Sequence, residues 1–159
     1  MNSILIIMGV SGSGKSTIAK RLSMELGISF YDADDFHPIE NIAKMKRSIA
    51  LTDADRKPWL GILSMEMKKW EPKGAVLACS ALKEAYRQIL TSKIKCTWVY
   101  LKISESELHK RFNRRTGHFM PATLIHSQFN TLEEPDYGIH VDAEQSIDHV
   151  IHAILQQLK

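Results

Sequence analysis

Lys15 and Ser16 close an eight-residue segment, Gly9-Val10-Ser11-Gly12-Ser13-Gly14-Lys15-Ser16, that fits the pattern G-x-x-x-x-G-K-[ST]. Each residue type in it has a chemical use. Glycine lets the backbone wrap so that successive N–H groups converge on phosphate oxygens. The lysine then reaches the β- and γ-phosphates of a nucleotide, and the serine hydroxyl is placed to bind Mg²⁺. Gly9 to Thr17 are therefore candidate nucleotide-binding residues, with Lys15 also a candidate catalytic cation and Ser16 a candidate metal ligand. Such a pattern needs a strand before it and a helix after it. Ile4-Leu5-Ile6-Ile7-Met8 reads as a buried strand, and the stretch from Thr17 opens a helix with Ile18, Leu22 and Leu26 on one side. The helix N-terminus adds partial positive charge. A nucleoside triphosphate with Mg²⁺ is the expected ligand pair.

Other candidates cluster where strands end, the place at which open α/β sheets gather ligands. Ile28 to Tyr31 reads as a second strand ending in Asp32, and Asp34 follows, with Asp35 beside it. Two carboxylates one residue apart can divide labour, one towards Mg²⁺ and its waters, the other towards a substrate hydroxyl whose proton it accepts. Three basic groups accompany them: Arg56 with Lys57; Lys83 with Arg87; and Arg111, Arg114 and Arg115 ahead of Gly117. Lys83 and Arg87 lie four apart, as do Arg111 and Arg115, so each pair shares a helix side. Arginines ahead of a glycine suit a lid that closes over phosphates, at about 111–125.

Short apolar runs alternate with amphipathic stretches, the pattern of a parallel sheet flanked by helices. Pro38 is expected to start a helix to about Ser48, and Pro58 another through Met67. Ala75–Cys79 and Thr97–Ile103 read as strands, each followed by a helix, from about Lys83 to Leu90 and from Ser104. Ile139–Val141 is a last short strand. The final helix carries Ile147, Val150, Ile151, Ile154, Leu155 and Leu158 on one stripe. His149 and His152, three apart there, lack a carboxylate or cysteine partner in metal-binding pattern and read as a solvated helix side.

The chain has 159 residues, the length of one domain, 44% hydrophobic and 25% charged. A net charge of +3 gives no reason to expect nucleic acid as partner. Cys79 and Cys96 form no C-x-x-C pair and read as core residues. The apolar stretch near the N-terminus runs straight into the glycine-rich segment without a basic region or cleavage site, and no run approaches the ~20 apolar residues that span a bilayer. A cytoplasmic enzyme with no membrane partner is expected. The D-x-x-G and N-K-x-D elements of regulatory GTPases are absent, which argues against a nucleotide switch.

Beyond the phosphate loop, four further blocks resemble the short gluconokinases, a family related in fold to shikimate and adenylate kinases. They are Asp32-Ala33-Asp34-Asp35-Phe36-His37-Pro38 with Asn41 and Lys44-Met45; Leu51 to Leu60, containing Asp53, Asp55, Arg56, Pro58 and Trp59; Cys79-Ser80-Ala81-Leu82-Lys83 with Tyr86-Arg87; and His118-Phe119-Met120 with Ser127-Gln128-Phe129, Leu132-Glu133 and Pro135. The resemblance covers nearly the whole chain. It implies a nucleoside-monophosphate-kinase-like fold with an Arg-rich lid, ATP-dependent phosphorylation of D-gluconate at its 6-hydroxyl, and a homodimer. It assigns Asp32 to the metal's water shell, Asp34 to the acceptor's proton, and Arg111 and Arg115 to the lid as catalytic residues. Asp34 and His37 would meet the substrate's hydroxyls, and Arg56, Lys83 or Arg87 its carboxylate. Shikimate or another sugar acid is the rival acceptor. One departure stands out: Ser48 and Ala50 replace the glycine and proline that the family often has there.

Overall fold

In the computed structural model, which describes residues 3–114 and 121–159, five parallel strands form one sheet. They are β1 (Ile4–Met8), β2 (Ser29–Asp32), β3 (Ala75–Ala78), β4 (Thr97–Lys102) and β5 (Ile139–Asp142), in the spatial order β2-β3-β1-β4-β5. The central strand is apolar at every position because a parallel sheet is covered on both faces. Its residues alternate between two cores. Leu5 and Ile7 pack with Ile18, Leu22, Val99, Leu101 and Ile154, whereas Ile4, Ile6 and Met8 pack with Leu60, Leu63, Met67, Leu77 and Tyr100.

The first core is closed by α1 (Lys15–Leu26) and α7 (Ile147–Leu158), the second by α3 (Asp53–Trp70) and α4 (Glu84–Leu90). Between β2 and α3 run a single 3₁₀ turn (Ala33–Phe36) and the short helix α2 (Ile39–Lys46). Two more helices, α5 (Glu105–Arg114) and α6 (Ala122–Thr131), lie between β4 and β5. No helix among the described residues is long and apolar enough to cross a membrane.

Three details differ from the sequence reading. β2 begins at Ser29, one residue later than read, and ends at Asp32 as expected, paired there with Ala78 of β3. Pro58 does not open α3; it is the sixth residue of that helix. A capping box starts the helix earlier: Asp55 N–H donates to Thr52 Oγ1 at 3.1 Å, and Thr52 N–H to Asp55 Oδ2 at 2.9 Å. Pro58 has no N–H to give, so the Ala54 carbonyl goes without its helical bond, and α3 runs on through the proline to Trp70. The earlier start puts Asp53 and Arg56 on the first turns, at the open end of the sheet. Third, α6 occupies part of the stretch read as lid; its helical run, from Pro121 as N-cap, begins directly after the undescribed residues.

Candidate active site

The phosphate loop lies beyond the C-terminal end of β1. Gly12 and Gly14 have φ of 85° and 98°, in the left-handed region that glycine enters without penalty. A side chain at Gly12 would also meet the Phe112 ring at 2.8 Å and Leu108 at 2.9 Å, because α5 packs directly on the loop. Gly14 caps α1 with no side-chain hydrogen bond, so the first-turn amides stay available to an anion at the positive end of the helix. Lys15 Nζ donates to Val10 O at 2.9 Å, folding back across the loop. Burial pulls its ammonium down to about 8.

Loop and strand ends enclose a cavity of about 360 Å³, lined among others by Gly12, Lys15, Ser16, Asp32, Asp34 and Ser80. Ser16 Oγ donates to Asp32 Oδ2 at 3.2 Å, and Asp34 N–H donates to Asp32 Oδ1 at 2.9 Å, which caps the 3₁₀ turn. Burial, and next the nearby Asp32 charge, push the Asp34 carboxyl above the usual carboxylate range. Ser16 and Asp32 supply adjacent hard oxygen donors. That suits Mg²⁺, which takes one or two protein groups and completes its shell with phosphates and water. No group of three or more His, Cys, Asp or Glu among the described residues could hold a metal by itself.

A second cavity, about 250 Å³, adjoins the first; Ser11, Asp34 and Ser80 line both. His37, Arg56, Trp59, Tyr86 and Gln128 complete most of its polar wall. His37 stacks on Trp59 with ring centres 4.2 Å apart, and Trp59 Nε1–H donates to Ala33 O at 2.8 Å, so α3 holds the acidic turn in place. His37 Nε2 lies 3.9 Å from Asp34 Oδ1, and burial pulls the imidazole below its ordinary value.

The three basic candidates for a substrate carboxylate part company here. Arg56 lines the second cavity, anchored by Nη1–H to Leu51 O at 2.8 Å and lying over the Tyr86 ring at 5.6 Å. Lys83 does not line it; its Nζ is paired with Asp53 Oδ2 at 3.2 Å, over the Tyr86 ring. Arg87 is in the interior, only 2% exposed. It donates through Nη1 to Ala81 O at 2.8 Å, through Nη2 to Glu133 O at 2.7 Å and through Nε to Glu84 Oε2 at 3.0 Å. The Arg87 guanidinium braces the cavity wall from behind and has no face towards a substrate. Arg111 is also turned inward: it donates to Ser13 O at 3.2 Å and to Ala143 O, joining the loop to the segment after β5. Arg115, the other lid arginine, lies outside the described residues, as do Gly117, His118, Phe119 and Met120.

The chain as a whole has counterparts among known proteins. A family model for shikimate kinase matches residues 11–158. A gluconokinase of Gluconobacter oxydans is 42% identical over 163 residues, spanning 98% of this chain and 90% of that one. The chain belongs to the gluconokinase family. The thermoresistant gluconokinase of Escherichia coli is 36% identical, again over 98% of this chain and 93% of the relative. The crystal structure of a gluconokinase from Sinorhizobium meliloti superposes with a TM-score of 0.89 at 39% identity, covering 97% and 90% of the two chains.

Against that family background, the residues that went without a role are the ones that hold others. Asn41 Nδ2 donates to Asp55 O at 3.0 Å and lies 3.2 Å from His37 Nδ1, tying α2 to α3. Tyr86 O–H donates to Asp53 and accepts from Arg56 at 3.4 Å. Gln128, on α6, accepts the Ser11 N–H at 3.1 Å. Each sits in a block that marks the gluconokinase resemblance, which was the only sequence signal available for them.

Proposed function

We propose that the protein transfers the γ-phosphoryl group of ATP to the 6-hydroxyl of D-gluconate, giving 6-phospho-D-gluconate and ADP. The observation that carries this reading is the wall shared by the two cavities: Asp34 faces both the phosphate loop and the polar pocket containing Arg56 and His37. An acceptor seated in that pocket presents its terminal hydroxyl beside a carboxylate, in line with a triphosphate on the loop amides.

The acceptor oxygen bonds to the γ-phosphorus while the bond from that phosphorus to the β–γ bridging oxygen breaks, and the hydroxyl proton passes to Asp34. Its raised proton affinity suits a group that must take up that proton. Lys15 and the loop amides meet the charge on the phosphates. Ser16 and Asp32 would hold Mg²⁺, which when bound neutralises charge on the β- and γ-phosphates. Arg56 pairs with the gluconate carboxylate at the far end of the pocket, and His37 meets a hydroxyl. On the other side of Gly14 and Thr17, a cavity of about 250 Å³ bounded by Arg111, Ala143, Gln145 and Ile147 suits the adenine base.

The test is ADP release by the purified protein with magnesium-ATP and a panel of acceptors. Gluconate should give the highest kcat/KM, above other aldonates, shikimate and nucleoside monophosphates. Efficient turnover of shikimate or a nucleotide without gluconate activity would reject the proposal.

A further inference from the structure

Ser11 is the loop residue at which the phosphate cavity and the acceptor pocket meet. Its N–H is directed at Gln128 Oε1, 3.1 Å away and 117 positions further along the chain. A carboxamide offers one acceptor oxygen and two N–H donors. The Ser11 N–H has to meet the oxygen, which fixes the orientation of the group. The NH₂ half then has no protein partner among the described residues, although the side chain is half-buried and lines the acceptor pocket with Asp34 and Arg56. A donor held at such a junction fits an acceptor rich in hydroxyls.

The position of Gln128 is set by an anchor. Leu132 N–H closes the helix onto Gln128 O at 3.0 Å, and the next residue is pinned three ways. Glu133 N–H donates to Leu82 O at 2.7 Å, its Oε1 accepts from Glu84 N–H at 2.7 Å, and its carbonyl accepts from the buried Arg87. The end of α6 that carries Gln128 is thus bolted to the pocket wall.

Building on the activity proposed above, we propose that Gln128 is a substrate-positioning residue that joins acceptor recognition to the phosphate loop. Its oxygen pins the Ser11 amide, and its NH₂ donates to one hydroxyl of the sugar acid close to the reacting end. Filling the pocket would then steady the loop residue nearest the transferring phosphoryl group.

The test uses Gln128→Met, which keeps length and loses both functions, and Gln128→Glu, which keeps the acceptor for Ser11 and loses the donors. Each is assayed with gluconate and the series of monodeoxygluconates, with KM for ATP, gluconate-independent ATP hydrolysis and Tm measured alongside. In the wild type, removing the hydroxyl that meets Gln128 should lower kcat/KM about tenfold or more. In both variants gluconate should fall to the level of that one deoxy analogue, the preference shrinking to under about threefold while preferences at other positions persist. KM for ATP in Gln128→Met should change less than KM for gluconate. The idea is overturned if every wild-type preference survives in the variants, including the case in which Tm falls and the kinetics of both substrates worsen together. A wild type inactive on gluconate would instead reject the activity itself, and this assignment with it.

Discussion

The phosphate side and the acceptor side of the site solve the same steric problem with different residues. On the phosphate side every described residue with positive φ is a glycine: Gly9 at 151°, Gly12 at 85° and Gly14 at 98°. Around the acceptor pocket the positive-φ residues are Ser48 at 58° and Ala81 at 45°. A glycine adopts that conformation on its own account, so the loop is encoded locally. A residue with a Cβ is held there only by its surroundings. Ala81 shows how: its carbonyl takes the buried Arg87 Nη1–H, and its neighbours Ser80 and Leu82 accept from Gly9 and Glu133. One half of the site is built from main chain along a single segment. The other is built from side chains drawn from five segments and braced from behind.

The largest effect is expected on the phosphate half. Lys15→Met removes the cation nearest the developing charge and should lower kcat by roughly 10³-fold with Tm little changed. A kcat within tenfold of wild type would mean that the loop amides suffice. Next comes the shared wall. Asp34→Asn should lower kcat by about 10²-fold or more while KM for ATP stays within a few-fold, since the amide cannot take the acceptor's proton. An unchanged rate would remove Asp34 from that role.

The acceptor half breaks differently. Arg87→Lys leaves a compact ammonium that cannot reach Ala81 O, Glu133 O and Glu84 at once, in a site that excludes water. About 3 kcal/mol of stability should be lost in urea unfolding. Arg56→Lys should leave stability nearly unchanged and raise KM for gluconate about tenfold, because a bidentate carboxylate partner is lost. If the two outcomes were exchanged, the division between bracing and binding drawn here would be reversed.

That division explains what could be read from sequence. The phosphate loop was legible because its chemistry and its conformation share nine consecutive residues; so were the inner strands β1, β3 and β4, whose apolar runs follow from burial on both faces. The α3 start was not, since Pro58 is a strong helix-start signal and the Thr52–Asp55 box overrode it. Arg87 was not: spacing suggests a helix side shared with Lys83, but Lys83 is the extended N-cap of α4 and pairs with Asp53, whereas Arg87 on the helix is turned under Ala81. Arg111 likewise had the right type and place for a lid, and which way it faces was decided by carbonyls from the loop and from Ala143, remote in sequence. Gln128 had no readable role until folding set it against Ser11.

Titration offers a milder probe of the same contrast. In the free protein Lys15 loses its proton near pH 8, well below a solvated lysine, so kcat/KM for ATP should decline above that pH. Bound phosphates favour the charged form, so the decline in kcat itself should lie higher. The linked stability effect has the opposite sense. Between pH 8 and the ordinary lysine value of 10.5 the unfolded chain binds more protons, so this group makes stability rise with pH. On the acid side Asp34 must be ionised to act, and its upward shift moves the acid limb above the normal carboxylate range. Lys15→Met should abolish the alkaline limb near pH 8 in nucleotide binding; a limb that persists belongs to another group.

The smallest effect is expected at Ser48, which ends the turn after α2 in a left-handed conformation, its N–H bonded to Met45 O at 3.1 Å. The resemblance implies a glycine in this stretch in many relatives, whereas in this chain a serine holds the left-handed φ. Holding a non-glycine residue at this φ costs roughly 1–2 kcal/mol. Glycine would remove that strain but restore about 0.5–1 kcal/mol of chain entropy to the unfolded state. Ser48→Gly should therefore stabilise by about 0.5 kcal/mol in urea unfolding. Its kinetic signature is the sharper measurement. Met45 and Leu51 on either side line the acceptor pocket and no residue of this turn lines the phosphate cavity, so any change should appear in KM for gluconate and leave KM for ATP alone. A shift in ATP affinity instead would show that the two halves are coupled through α2 as well as through Gln128.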